Sequence, residues 1–171
     1  MRALERIVQV LDSITVWIAR ICFPLVIPLM AVLVYEVFVR KLFISPTIWA
    51  MDTSYMINGF LGMMGAVYAL YRGGHIAIDF ISERWSTRTK AAVNAVFYIT
   101  CFFPGMSIFL WFGWKFAYDS WLEKERAITS AWMPPIYPLK MVMVVAIVFL
   151  LLQGISEFLK NLHVFLRGER P

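Results

Sequence analysis

Four stretches of this chain, roughly residues 21–39, 48–71, 91–118 and 139–160, are apolar over about the length a helix needs to cross a bilayer. The hydrocarbon core is about 30 Å thick, so a spanning helix takes about 20 mostly apolar residues. From Met141 to Leu152 no polar group interrupts the last stretch. A soluble domain could not hide this material: hydrophobic residues make up 61% of the 171 residues, against about 45–50% in soluble domains. In lipid every backbone N–H and C=O must find a partner within the protein, which leaves helices or a closed barrel. Runs of this length select helices. The expected fold is all-α: a polytopic membrane protein, one domain over residues 1–171, with four transmembrane helices and short amphipathic interfacial helices.

Local signals punctuate these spans. In residues 4–20, Ile7, Val10, Leu11, Ile14, Trp17 and Ile18 recur at helical spacing among Arg6, Gln9 and Asp12. This amphipathic segment either lies flat at the interface or runs straight into the first span. Pro24 and Pro28, one turn apart, predict a bend. Ser45-Pro46 reads as a helix start, with Ser as N-cap and Pro at the first helical position. In the second span Gly59, Gly62, Gly65 and Ala69 fall at intervals of three or four. Such a stripe lets another backbone approach closely, which is how helices associate in lipid. Gly73-Gly74 then ends the helix, and Arg72 suits its negative terminus. Residues 76–90 are amphipathic again, with Ile78, Ile81 and Trp85 on one edge and Glu83, Arg84, Arg88 and Lys90 on the other; they predict a short helix in the headgroup region. Pro104-Gly105 predicts a kink in the third span. Trp111, Trp114 and Trp121 mark its far end as interfacial.

The charges are distributed rather than clustered. Glu36, Arg40, Asp52, Lys115, Asp119 and Lys140, with Trp49, fall toward one side, where the charges either bridge spans or face a partner subunit. Lys115 and Asp119 are four apart and can pair. Bases on the other side (Arg2, Arg6, Arg72, Arg84, Arg88, Lys90, Lys160, Arg167, Arg170) outnumber those near the first group (Arg40, Lys41, Lys124, Arg126, Lys140), which places both termini in the cytoplasm. The net charge of +5 reflects this bias, and no basic stripe implies a nucleic-acid partner. The first apolar run is too long for a cleavable signal and lacks a cleavage pattern.

Few residues carry chemistry. Cys22 and Cys101 sit in apolar runs and read as small buried hydrophobes. His75 and His163 lie outside the spans, so facing axial ligands for haem are missing. Neither a Ser–His–Asp arrangement nor an HExxH motif is present, and no enzyme activity, metal or cofactor is expected. His75 and Asp79, four apart, read as a structural pair. No carboxylate sits at mid-span, where coupling-ion sites of secondary transporters lie. The residues describe a small protein that packs, anchors and presents charge, and a partner is implied.

The segment Tyr71-Arg72-Gly73-Gly74-His75-Ile76-Ala77-Ile78-Asp79 is similar to a basic-Gly-Gly-His-hydrophobic-x-hydrophobic-Asp signature. Through it, and with support from Val39-Arg40 and from Trp49 with Asp52, the chain resembles the small membrane subunit of tripartite ATP-independent periplasmic (TRAP) transporters, the DctQ-like family. Trp132 to Lys140 and Leu151-Leu152-Gln153-Gly154 are similar to the subgroup related to uptake of mannitol-like and chloroaromatic compounds. The resemblance implies a scaffold in the bacterial inner membrane. It would brace a large permease subunit, driven by a sodium gradient, and help dock a periplasmic solute-binding protein that captures organic acids or related solutes. It also implies that the glycine face of the second span meets the large subunit, that the loops near Ser45 and Glu123–Pro135 meet the binding protein, and that segment 76–90 fixes the depth of the scaffold. The residues by themselves leave two alternatives open: a self-sufficient oligomeric transporter or channel, and a membrane anchor for a redox complex.

Overall fold

A computed structural model describes residues 2–44, 47–73, 87–128 and 130–167. Among these residues six α-helices follow in order: α1 (Arg2–Cys22), α2 (Val26–Phe43), α3 (Ile48–Tyr71), α4 (Thr87–Phe97), α5 (Phe103–Leu122) and α6 (Tyr137–Arg167). Among the described residues the only extended pairing is a single antiparallel bridge, Arg126 with Pro135.

The junction of α1 and α2 settles how the first amphipathic segment is used. Pro24 cannot donate a backbone hydrogen bond, and the chain tightens into a 3₁₀ turn over Phe23–Leu25 without breaking. The Val26 N–H bonds back to the Phe23 carbonyl. Arg6–Phe43 is therefore one apolar rod of 38 residues. The first amphipathic segment does not lie flat beside it. Val8, Thr15, Ala19 and Cys22, spaced along one side of α1, are buried against the bundle. Ile7, Val10, Ile14, Trp17 and Ile21 cover the opposite side and are exposed, an arrangement that suits hydrocarbon rather than water.

The irregularity in the second long unit comes one turn earlier than Pro104 itself. Pro104 has no N–H for the carbonyl of Thr100, and the helix widens to π geometry over Tyr98–Phe102, with the Phe103 N–H on the Tyr98 carbonyl. The extra residue turns Phe102 onto α6. Its ring meets Tyr98 at 5.2 Å and Phe103 at 5.6 Å, and Phe103 meets Phe158 at 6.0 Å, all edge-on. Beneath the Phe102 ring lies Gly154, where an added Cβ would overlap the ring carbons.

The longest helix, α6, is the column around which the rest assembles; α1, α3, α4 and α5 all rest on it. The contacts are made by small groups. Ala50, Ala117 and Ala146 are almost fully buried, and Gly113 of α5 lies against Ile147 and Met143 of α6. Cys22, Met64 and Ala146 form a joint between α1, α3 and α6, closed by Ile18, Phe60, Leu61 and Phe149. Close approach replaces the hydrophobic effect as the source of helix association in lipid. Among the described residues the stripe on α3 makes no such approach. Gly59 meets only the Leu139 methyls at 3.7 Å, and nothing lies within 4 Å of a Cβ built at Gly62 or Gly65. Ala69 is half-buried.

Among the described residues three units are long and apolar enough to cross a membrane: Arg6–Phe43, Arg88–Leu122 and Tyr137–Leu166. At 24 residues α3 has the length, but Asp52, Thr53, Ser54 and Asn58 dilute its apolar character.

Overpacking at Gly154 is testable. Gly154→Ala is expected to cost about 1–3 kcal/mol through the displaced Phe102 ring, outweighing the gain of up to about 1 kcal/mol in helix propensity. Gly65→Ala gains propensity without a clash. Thermal unfolding followed by circular dichroism in detergent should show the first variant melting several degrees lower and the second no lower than wild type.

Candidate functional site

Polar side chains gather at the two ends of the bundle. At the first end, Glu36 of α2 is buried, with 6% of its surface exposed. Its Oε1 accepts from Arg40 Nη2 at 2.7 Å and Nε at 3.1 Å, and its Oε2 accepts the Thr47 N–H at 3.0 Å. Thr47 is the N-cap of α3 and makes no side-chain cap of its own. The helix start therefore lies two residues beyond Ser45-Pro46, and one donor there, the Thr47 N–H, is met by a carboxylate from the preceding helix. An acid at this place also complements the positive end of the helix dipole. Trp49 lies beside Tyr35, with ring centroids 5.6 Å apart and planes tilted by 38°.

The loop between α5 and α6 is tied to both sides of this end. It leaves α5 through a Schellman turn: Glu125 N–H bonds to Ser120 O at 3.1 Å and Lys124 N–H to Trp121 O at 3.3 Å. Lys124 takes the left-handed conformation at φ 48° that this turn requires. The two strands of the loop then join, Ala127 N–H to Pro134 O at 2.9 Å and Ile136 N–H to Glu125 O at 3.1 Å. Lys140 of α6 pairs with Glu125 and rests 3.8 Å over the Phe116 ring. Ser130 donates to Asp52 of α3. So Asp52 and Lys140, from different helices, both hold this loop. Lys115 and Asp119 do not join them: both are exposed on α5 and form no ion pair with each other. Their long side chains gain little from pairing where water screens them.

At the second end a network crosses from α1 to α6. The Thr15 hydroxyl donates to Gln153 Oε1 at 2.6 Å, and Gln153 Nε2 donates to Asp12 Oδ1 at 3.1 Å. Asp12 also accepts from Ser156 at 2.8 Å and pairs with Lys160 at 2.8 Å, while Lys160 reaches Glu157 at 2.7 Å. Gln153 and Ser156 are 1% and 0% exposed. A buried polar group without a partner is costly, so a fully satisfied network fixes the register of two helices. Sequence reading missed this pairing. A signal was present: Gln153, Ser156, Glu157 and Lys160 fall at i, i+3, i+4 and i+7, one polar stripe at the exit of an apolar helix.

Of the signature residues, Arg72 is exposed just past the end of α3 and Gly73 takes φ 76°, the positive-φ residue that stops the helix. Gly74, His75 and Asp79 lie outside the described residues, as do Ser45, Pro46 and residues 76–86 with Trp85. Among the described residues no three His, Cys, Asp or Glu side chains converge as a metal site. Cys22 is buried and Cys101 exposed.

Two outcomes follow. Asp12→Asn and Lys160→Gln should each destabilise by about 1–3 kcal/mol, and the double variant by clearly less than the sum; a coupling energy near zero in the double-mutant cycle would show that the network does not hold α1 to α6. At the other end, Lys140 holds the Glu125 carboxyl below the usual carboxylate range, chiefly through their hydrogen bond. The sign is that of a depressed acid: the tie is complete above the ordinary carboxylate pKa and is lost as pH falls through the lowered value. Pepsin cleavage within residues 123–136 should therefore rise as pH falls through that range in the wild type, and Glu125→Gln should remove this dependence.

The comparisons agree with this all-helical membrane architecture. No curated protein and no solved structure matches the chain. The family model described as "Tripartite ATP-independent periplasmic transporters, DctQ component" matches residues 29–163, which takes in α3 to α5 entirely and most of α2 and α6. The chain belongs to that family: it is a DctQ-type small membrane component of a TRAP transporter.

Proposed function

We propose that this chain is a four-span scaffold that braces the large permease subunit and presents a docking surface to a periplasmic solute-binding protein, with both termini in the cytoplasm. The observation that carries the reading is the α3 stripe. Gly62 and Gly65 face open space, and Tyr55 and Asn58 beside them are exposed. A face of small and hydrogen-bonding groups within a membrane is suited to another helix. By contrast, Asp12 and Thr15 of α1 and Gln153, Ser156 and Lys160 of α6 are spent on each other.

Charge spacing supports four spans. Arg20 and Arg40, Asp52 and Arg72, and Lys140 and Lys160 are each twenty residues apart, about 30 Å along a helix and the thickness of the hydrocarbon core. On this reading the small residues of α3 are a property of a span enclosed by protein rather than by lipid. The α5–α6 loop, bridged within itself and tied to α3 and α6, is firm enough to serve as a docking platform. Ile128, Trp132 and Met133 are exposed on it. Sodium coupling and the passage of an organic acid or related solute belong to the large subunit.

Two measurements test this. Reconstituted alone, the chain should show no sodium-driven uptake; robust transport without a large subunit would refute the scaffold role and favour the oligomeric transporter. Gly62→Leu should leave the chain's own thermal stability close to wild type yet reduce co-purification of the large subunit by at least several-fold. Undiminished recovery would mean that the stripe faces lipid.

A further inference from the structure

Beside the network at the α1–α6 end, an open groove of about 390 Å³ runs along α1. Gln9, Asp12, Ser13, Trp17 and Arg20 line it, and Tyr71 from the end of α3 closes its far wall. The groove ends at Arg20, and the surface of the rod changes character there. Toward the N-terminus it is polar. Beyond Arg20 the same rod continues with exposed Ile21, Phe23 and Ile27.

Arg20 is the group that needs explaining. It is exposed, inside the continuous apolar rod Arg6–Phe43, and has no ion-pair or hydrogen-bond partner among the described residues. Ionisable groups in such segments are expensive unless paired. The nearest acid in the groove, Asp12, is already occupied: Lys160, Ser156 and Gln153 all bond to its carboxylate. Among the described residues the groove thus presents a cation with no acid of its own. Counted from Arg40, whose pair with Glu36 marks one interface, Arg20 lies about 30 Å down the rod, at the opposite headgroup boundary. Side chains on a helix lean toward its N-terminus, which on α1 is toward that boundary. Trp17, 66% exposed, and Tyr71 flank it, as aromatic residues do at headgroup level. Arg72, also exposed, follows Tyr71 directly.

We infer that this groove is a binding site for one anionic phospholipid of the leaflet nearest the N-terminus. The phosphodiester sits on Arg20, the headgroup hydroxyls meet Ser13 and Gln9, and the acyl chains run along Ile21, Phe23 and Ile27. Charge, depth and the polar-to-apolar order along the rod each match an amphiphile with one negative phosphate. A basic pocket between helices at the headgroup level is the form such sites take. The site is separate from the α3 stripe and from the outer loop, and it does not depend on the scaffold reading.

The test uses the purified full chain, stripped of lipid and offered phosphatidylglycerol or phosphatidylcholine in mixed micelles, with bound lipid counted by native mass spectrometry. Wild type should retain phosphatidylglycerol in preference to phosphatidylcholine. Arg20→Gln should reduce that preference roughly fivefold, the weight of one base at an anionic surface, and Lys41→Gln, at the opposite end of the rod, should leave it unchanged. No preference in the wild type, or an undiminished one in Arg20→Gln, overturns the site. A second measurement needs no variant: photoactivatable phosphatidylglycerol should label residues 9–27 and the end of α3, and labelling confined to other helices would overturn it equally.

Discussion

The hydrogen-bonded ion pair between Asp12 and Lys160 is the contact on which this bundle's arrangement rests. Helices in lipid gain nothing from hiding apolar surface, because the solvent is itself apolar. Two means of fixing one helix against another remain: backbones brought close by small residues, and polar groups that have no other partner. The α1–α6 seam uses both. Ala19, Cys22 and Ala146 let the helices approach, and Asp12, Thr15, Gln153, Ser156 and Lys160 then admit one register. A slip of α6 by one residue would strand a carboxylate, an amide and an ammonium at once.

The same reasoning explains why the opposite end is built from loops and caps. Glu36 is placed by α2, but its second oxygen serves the first turn of α3. Glu125 and Ser130 belong to the loop, but they answer to Lys140 and Asp52 in two different helices. Glu36, Asp52, Glu125 and Lys140 each stabilise a connection rather than a single helix. The result is a hairpin and a loop whose geometry is set by the helices beneath them.

Much was legible in the chain. Apolar length gave the helices, Gly73 the end of α3, and Pro24 and Pro104 the neighbourhood of two irregular turns. Their form was not legible: Pro24 tightened the helix to 3₁₀ geometry, whereas Pro104 widened it to a π turn that aims Phe102 at Gly154. A proline states that a hydrogen bond is missing, but the neighbouring helix decides how the chain recovers. Lys115 and Asp119 had the right spacing to pair and did not, because spacing allows an exposed contact without making it favourable. The Ser45-Pro46 start gave way to a cap from Glu36, a partner distant in sequence that no local rule names.

The sequence by itself determined the solvent of this protein, its helices and the family to which it belongs, because hydrophobic length and short motifs are local properties of the chain. Only the tertiary structure decided which polar residues neutralise one another and which are left over. Asp12 and Lys160 are far apart along the chain and adjacent in space; Arg20 and the α3 glycines look no different in sequence from residues that found partners. Electrostatic and packing energies depend on distances between helices, and those distances exist only once the bundle has formed.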